Sequence, residues 1–177
     1  MWRDKKIGVV IVAGGSGSRM GATVPKQFLR LGEEPILAHT VRKFRPYADH
    51  IVVVLPADQR ELWQELAEEC GLVGTHTVCE GGATRYDSVK NGLSALGEGC
   101  DLVAIHDGVR PLVSAAMIER GLECANSGGS AIPTVGAVDS FRVQTKEGLK
   151  VIDRSLLRAV QTPQIFDMTL LRNAYRR

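Results

Sequence analysis

The run Ile7-Gly8-Val9-Val10-Ile11-Val12 leads without a break into Ala13-Gly14-Gly15-Ser16-Gly17-Ser18-Arg19-Met20-Gly21, and Pro25-Lys26-Gln27 follows a few residues on. The first six residues are almost wholly apolar, which reads as a short strand covered on both faces. A glycine-rich turn leaving a buried strand lets bare backbone N–H groups approach a polyphosphate. Arg19 inside the turn and Lys26 seven residues later add two cations. The loop has no Gly-Lys-Ser/Thr, so it is not the ATP-binding P-loop. Its glycines are spaced Gly15-x-Gly17-x-x-x-Gly21, with Met20 where the dinucleotide fingerprint requires glycine. No acidic residue closes a second strand about twenty residues later, so an NAD(P) oxidoreductase is disfavoured. Taken alone the loop fits either a nucleotide site or a tight turn; a purely structural turn needs neither cation, so the pair favours the nucleotide.

Outward from this stretch, short apolar runs alternate with helical patterns. Further strands are expected at 51–55, 75–79, 102–106 and 131–135. Helices are expected at 35–44, with Pro35 as first residue, at 58–70, at 84–96 and at 115–125. The second carries Leu62, Leu66 and Cys70 at helical spacing and stops at Gly71. The third places Val89, Leu93 and Leu96 on one face behind Thr84 as N-cap. The expectation is an α/β fold: a Rossmann-like, open, mostly parallel sheet with helices on both faces. Ligands of such sheets bind outside the carboxyl ends of the strands, where the loops beginning at Ala13, Glu80 and Asp107 converge.

After Val138 the pattern changes. Asp139-Ser140-Phe141-Arg142-Val143, the turn signal Glu147-Gly148 and Val151-Ile152-Asp153-Arg154 read as a hairpin arm, about residues 139–158, protruding from the main sheet. No linker or internal repeat divides the chain, and one domain over 1–177 is expected. The helical pattern at 168–177 reaches the last residue without a stop signal, so a further C-terminal segment is expected.

The composition narrows the class. With 177 residues, 44% hydrophobic and 24% charged, the chain is long enough for a real core. A net charge of +2 without a long basic run argues against a nucleic-acid partner. Cys70, Cys79, Cys100 and Cys124 form no Cys-x-x-Cys pair, and no histidine stands at metal-ligand spacing. They read as free thiols of a reducing cytoplasm. Arg3-Asp4-Lys5-Lys6 before the first apolar run imitates a secretion signal. The run is short and continues into an arginine-bearing loop, so the strand reading stands. No stretch approaches the ~20 apolar residues of a membrane span.

Three more segments carry candidate chemistry. In Glu80-Gly81-Gly82-Ala83-Thr84-Arg85-Tyr86-Asp87-Ser88, small residues would let a flat base lie against the backbone, with Ser88 in hydrogen-bonding reach. In His106-Asp107-Gly108-Val109-Arg110-Pro111, Asp107 suits a ribose hydroxyl, a metal-bound water or a second substrate, and Arg110 a nearby carboxylate. His106 reads as structural, since no serine or cysteine pairs with it. In Asp153-Arg154-Ser155 with Gln161-Thr162-Pro163-Gln164, Arg154 suits a bidentate phosphate contact.

The four segments, in this order from Ile7 to about Phe166, resemble the 2-C-methyl-D-erythritol 4-phosphate cytidylyltransferase family of the non-mevalonate isoprenoid pathway. The resemblance implies transfer of CMP from CTP to the sugar-alcohol phosphate, with Mg²⁺ held mainly by the CTP phosphates. It implies that Arg19, Lys26 and Arg154 are catalytic. Ala13, Gly14, Gly15, Ser16, Gly17, Gly81, Gly82, Ser88, Asp107 and Gly108 would bind the nucleotide. Asp107, Ser140, Arg154 and Thr162 would bind the acceptor. It also implies a homodimer in which the arm crosses to the partner's site. The chain departs from the family pattern in having Gly108-Val109 for Ala-Ala and Ser140 for threonine, and it lacks the C-terminal segment with a substrate-contacting lysine.

Rival readings remain. D-ribitol 5-phosphate cytidylyltransferases share the glycine loop, Pro-Lys-Gln and Thr-Pro-Gln, while Asp153-Arg154-Ser155 favours the methylerythritol enzyme. Sugar-1-phosphate nucleotidyltransferases use a similar loop. A non-catalytic nucleotide-binding module would bind CTP without releasing pyrophosphate.

Overall fold

A computed structural model describes residues 1–14 and 24–176. Its elements, in chain order, are β1 (Ile7–Val12), β2 (Arg30–Leu31), β3 (Glu34–Pro35), α1 (Ile36–Phe44), β4 (His50–Leu55), α2 (Arg60–Glu69), β5 (Thr77–Glu80), α3 (Arg85–Leu96), β6 (Leu102–Asp107), α4 (Ala115–Gly128), β7 (Ser130–Ala131), β8 (Thr134–Gly136), β9 (Phe141–Thr145), β10 (Gly148–Ile152), β11 (Arg158–Val160), β12 (Gln164–Asp167) and α5 (Met168–Tyr175).

The central sheet has the order β5-β4-β1-β6-β12-β7. The first four of these strands run parallel, and β12 lies antiparallel between β6 and β7. Within the continuous apolar runs the side chains still alternate between faces. Ile7, Val9 and Ile11 of β1 face a core completed by α1, α2 and α4, while Val10 faces a second core with Val89, Leu93 and Leu96 of α3 and Met168 of α5. The doubly covered, mostly parallel sheet is thus the architecture expected, and burial on both faces explains the unbroken apolar strands. Gly92 sets the approach of α3 to the sheet, because an added Cβ would lie 2.4 Å from Val10 Cγ1 and 2.9 Å from Val54 Cγ2.

Three expectations are corrected. The strand expected at 131–135 is two pieces: β7 pairs with β12, while β8 pairs with β11 away from the main sheet. Pro133, between them, has no N–H to continue a ladder. Strand β12 was not anticipated, and it occupies the place beside β6. In α2 the buried side chains are Trp63 and Ala67, whereas Leu62 is 39% exposed. The helix turns to bury its indole, the larger apolar surface, leaving Leu66 and Cys70 half-buried. Helix α3 begins as expected: Thr84 Oγ1 accepts from Asp87 N at 3.1 Å and Asp87 Oδ2 accepts from Thr84 N at 3.1 Å, a reciprocal capping box. Strands β9 and β10 form a two-stranded hairpin of their own, the expected arm. No described helix is long and apolar enough to cross a membrane.

Candidate active site

The carboxyl ends of the parallel strands are bound to one another. Gly108 N donates to Val12 O at 2.8 Å, Ala13 N to Val54 O at 2.9 Å, and Gly81 N to Leu55 O at 2.8 Å. The stem of the glycine loop (Ala13, Gly14), the Gly81-Gly82 turn and the Asp107-Gly108 turn therefore share one edge of the sheet. Gly108 makes the closest approach: a Cβ there would stand 2.8 Å from Ala13 Cβ and 3.0 Å from Leu37 Cδ1. Gly15, Ser16, Gly17 and Arg19 lie outside the described residues.

Two loop segments are shaped from within. Buried Ser88 accepts a hydrogen bond from Gly82 N at 3.1 Å, and Asn91 Nδ2 donates to Glu80 O at 3.0 Å. Ser88 thus holds the Gly81-Gly82 turn, and its hydroxyl proton can still be donated to an acceptor. Lys26 is exposed on a single 3₁₀ turn, Lys26–Phe28, whose other two side chains are buried. Phe28 stacks on Trp63 with ring centroids 6.3 Å apart. Gln27 Nε2 donates to Ala13 O at 2.8 Å and to Gln59 Oε1 at 2.6 Å.

Asp107 is the centre of a charged cluster. Arg85 Nη2 donates to its Oδ1 at 3.1 Å and Arg110 Nε to its Oδ2 at 3.0 Å. Arg110 Nη1 reaches Gln161 Oε1 at 2.6 Å, and Thr162 Oγ1 accepts from Asp107 N at 3.4 Å. The expected pairing of Arg110 with a carboxylate is present. Arg85, in the Gly81-Gly82 segment, joins the same cluster. Its place as first residue of the helix that follows β5, whose carboxyl end lies on the same sheet edge with two strands between it and β6, is the hint in the sequence that it reaches the same crevice. Both guanidiniums remain about half exposed, so anionic ligands can share them with Asp107.

His106 is fully buried beneath this cluster. Its Nε2 sits 3.0 Å from Arg110 O, which as a carbonyl can only accept, so the ring proton is on Nε2. Nδ1 is buried and has no hydrogen-bond partner among the described residues, and the ring packs 4.7 Å from that of Phe44. Burial pushes the imidazole pKa down to about 4 from 6.5, against the raising effect of the Arg110 carbonyl and Asp107. His106 is therefore a neutral brace for the Asp107–Arg110 turn, as the sequence suggested. The unfolded chain takes up this proton near pH 6.5 and the folded chain only near 4, so stability is full above 6.5 and falls as pH drops to about 4. The expected contribution over that window is on the order of 3 kcal/mol. Denaturant titrations from pH 7.5 to 4 should show a shallower acid loss in His106→Gln than in the wild type, and an identical loss would contradict this assignment.

The acceptor-binding candidates on the arm lie apart. Ser140 is exposed, and Arg154 Nη1 donates to Val138 O at 2.7 Å across the base of the arm. Among the described residues no hydrogen bond joins either of them to Asp107, whereas Thr162 does touch it. Among the described residues no group of three or more His, Cys, Asp or Glu side chains is placed to hold a metal ion.

Known proteins of one family match the chain over nearly its whole length. The family model for 2-C-methyl-D-erythritol 4-phosphate cytidylyltransferase matches residues 7–177. The protein of that name from Bacteroides thetaiotaomicron is 45% identical over 172 residues, 96% of this chain and 78% of its own length. That from Porphyromonas gingivalis W83 is 46% identical over 173 residues, 98% and 78% respectively. The crystal structure of a 4-diphosphocytidyl-2C-methyl-D-erythritol synthase from Anaerococcus prevotii matches with a TM-score of 0.81 at 26% identity, covering 97% of this chain and 74% of that one. The family match starts at the first residue of β1 and passes through every cluster on the sheet edge: the chain belongs to the 2-C-methyl-D-erythritol 4-phosphate cytidylyltransferase family.

Proposed function

We propose that the chain transfers CMP from CTP to 2-C-methyl-D-erythritol 4-phosphate, releasing pyrophosphate. The observation that carries this is the convergence, on one sheet edge, of the phosphate-loop stem at Ala13, the small Gly81-Gly82 turn and the Asp107 cluster. A phosphate oxygen of the acceptor attacks the α-phosphorus of CTP, a new P–O bond forms, and the bond to the bridging oxygen breaks as pyrophosphate leaves. That oxygen is already ionised at neutral pH, so no side-chain nucleophile or general base is needed. The barrier is the approach of one anion to another, and fixed cations lower it. Arg19 and Lys26 are assigned to the α-phosphate. Gly81, Gly82 and Ser88 are assigned to the base, and Ala13, Gly14, Gly15, Ser16, Gly17, Asp107 and Gly108 to ribose and phosphates. Asp107, Thr162, Ser140 and Arg154 are assigned to the acceptor, whose hydroxyls and phosphate match that set of acceptors, donors and cation.

Mg²⁺ bound to the CTP phosphates would neutralise charge on the leaving pyrophosphate. The carboxylate of Asp107 already accepts from two guanidiniums, which fits a metal held by phosphate oxygens rather than by a protein cage. Four free cysteines, three of them with thiol pKa values raised by burial, suit the reducing cytoplasm as its place of work.

The functional unit in this reading is a homodimer. An isolated two-stranded hairpin is marginal in water. Here the arm exposes apolar side chains on both faces, Phe141 and Val143 on one and Leu149 and Val151 on the other, which a second copy would cover. Light scattering should give twice the mass of the 19.2 kDa chain. Pyrophosphate release from CTP with Mg²⁺ tests the reaction itself, with methylerythritol phosphate and ribitol phosphate offered separately. Release with the first acceptor only is expected; release with ribitol phosphate only would move the assignment to that pathway.

A further inference from the structure

A cavity of about 650 Å³ lies between α2 and the segment leading into β5, lined by Trp63, Leu72 and His76 among others, and carries no group that names a ligand. Gln27 is a buried amide, 1% exposed, and directly follows Lys26. Its two N–H groups meet two oxygens, Ala13 O and Gln59 Oε1. Ala13 stands at the entry of the glycine loop and Gln27 at its exit, so the side chain ties together the two ends of the segment between them. The Ala13 peptide is held from its other side by Val54 O. Phe28, wedged against Trp63, stops the 3₁₀ turn from rotating.

We infer that Gln27 is a positioning residue for the phosphate site: it fixes Lys26 against the glycine-loop stem, and Gln59 holds its amide in the required rotamer. This rests on the role assigned to Lys26 under the proposed function. The amide is chemically specific. A carboxylate at this position would face two acceptor oxygens, and a thioether would leave the buried Ala13 carbonyl without a donor. Gln59 is needed only as an acceptor, so Gln59→Glu should preserve the arrangement and Gln59→Leu should loosen it. A misplacement of about 1 Å in a transition-state contact can cost as much as 10²-fold.

The test is a double-mutant cycle on CTP turnover with Mg²⁺ and the methylerythritol acceptor, with thermal melts of each protein. Gln27→Met should lower kcat by about 10- to 10²-fold with the KM for CTP little changed. The same substitution in a Lys26→Ala background should change kcat by less than about twofold, because the two act as one unit. Gln59→Leu, at a partly exposed position that puts folding at less risk, should lower kcat in the same direction, and Gln59→Glu should restore it. Equal losses from Gln27→Met in both backgrounds would overturn the inference, as would near-normal kcat in Gln27→Met or Gln59→Leu. Wild-type protein without turnover on either acceptor would overturn the functional reading itself, an outcome distinct from these.

Discussion

Lys26→Ala is expected to lower turnover by about 10²–10³, equivalent to roughly 2.7–4 kcal/mol of transition-state stabilisation. The reason is the nature of the barrier. Two anions must meet at the α-phosphorus, and a cation placed where charge accumulates acts more strongly there than on the bound ground state. The loss should therefore fall on kcat and kcat/KM alike, with the KM for CTP little moved. Lys26 is exposed, and the fold does not depend on it: Gln27 and Phe28 anchor the turn. The melting temperature should stay close to that of the wild type. Arg19→Ala is expected to behave in the same way, from the loop segment that lies outside the described residues. Steady-state pyrophosphate release across CTP concentrations decides both cases, and near-normal turnover in either variant would refute its assigned role.

Arg154→Ala is the second large expected effect. A guanidinium clamping a phosphate contributes about 1.5–3 kcal/mol through charge-assisted hydrogen bonds, so kcat/KM for the acceptor should fall roughly 10- to 10²-fold. Within its own chain Arg154 contacts Val138 at the base of the arm and makes no hydrogen bond to the Asp107 cluster among the described residues. If the arm serves the partner's site, a dimer of one Lys26→Ala chain and one Arg154→Ala chain contains one site with both side chains intact. Statistical exchange between the two variants should then restore about a quarter of wild-type activity, since half the dimers are mixed and each has one complete site. A mixture no more active than its components would place Arg154 in the site of its own chain. Arg154→Lys, which keeps the charge but not the planar fork, should recover only part of the loss.

The chain's own local pattern carried much of this structure. Nearly continuous apolar runs announced β1, β4 and β6. Thr84 as N-cap marked the start of α3, and Glu147-Gly148 marked the turn of the arm. Each of these depends on residues within a few positions of one another, and periodicity and capping act over that range. The four motif segments likewise disclosed the family, because glycines beside strand ends and cations beside glycines are chemistry written in neighbouring residues. What the tertiary structure decided was which distant atoms meet. The choice of Trp63 over Leu62 as the buried face of α2 came from the sheet it packs on. The insertion of β12 beside β6 came from a non-local ladder that no window of sequence encodes. Arg85 reaches Asp107 across 22 positions and Gln27 reaches Ala13 across 14, because the parallel strands all end on one edge and the Lys26–Phe28 turn comes back to it. A side chain's type is local, but its hydrogen-bond partner is set by strand order, and strand order is settled only when the whole sheet assembles.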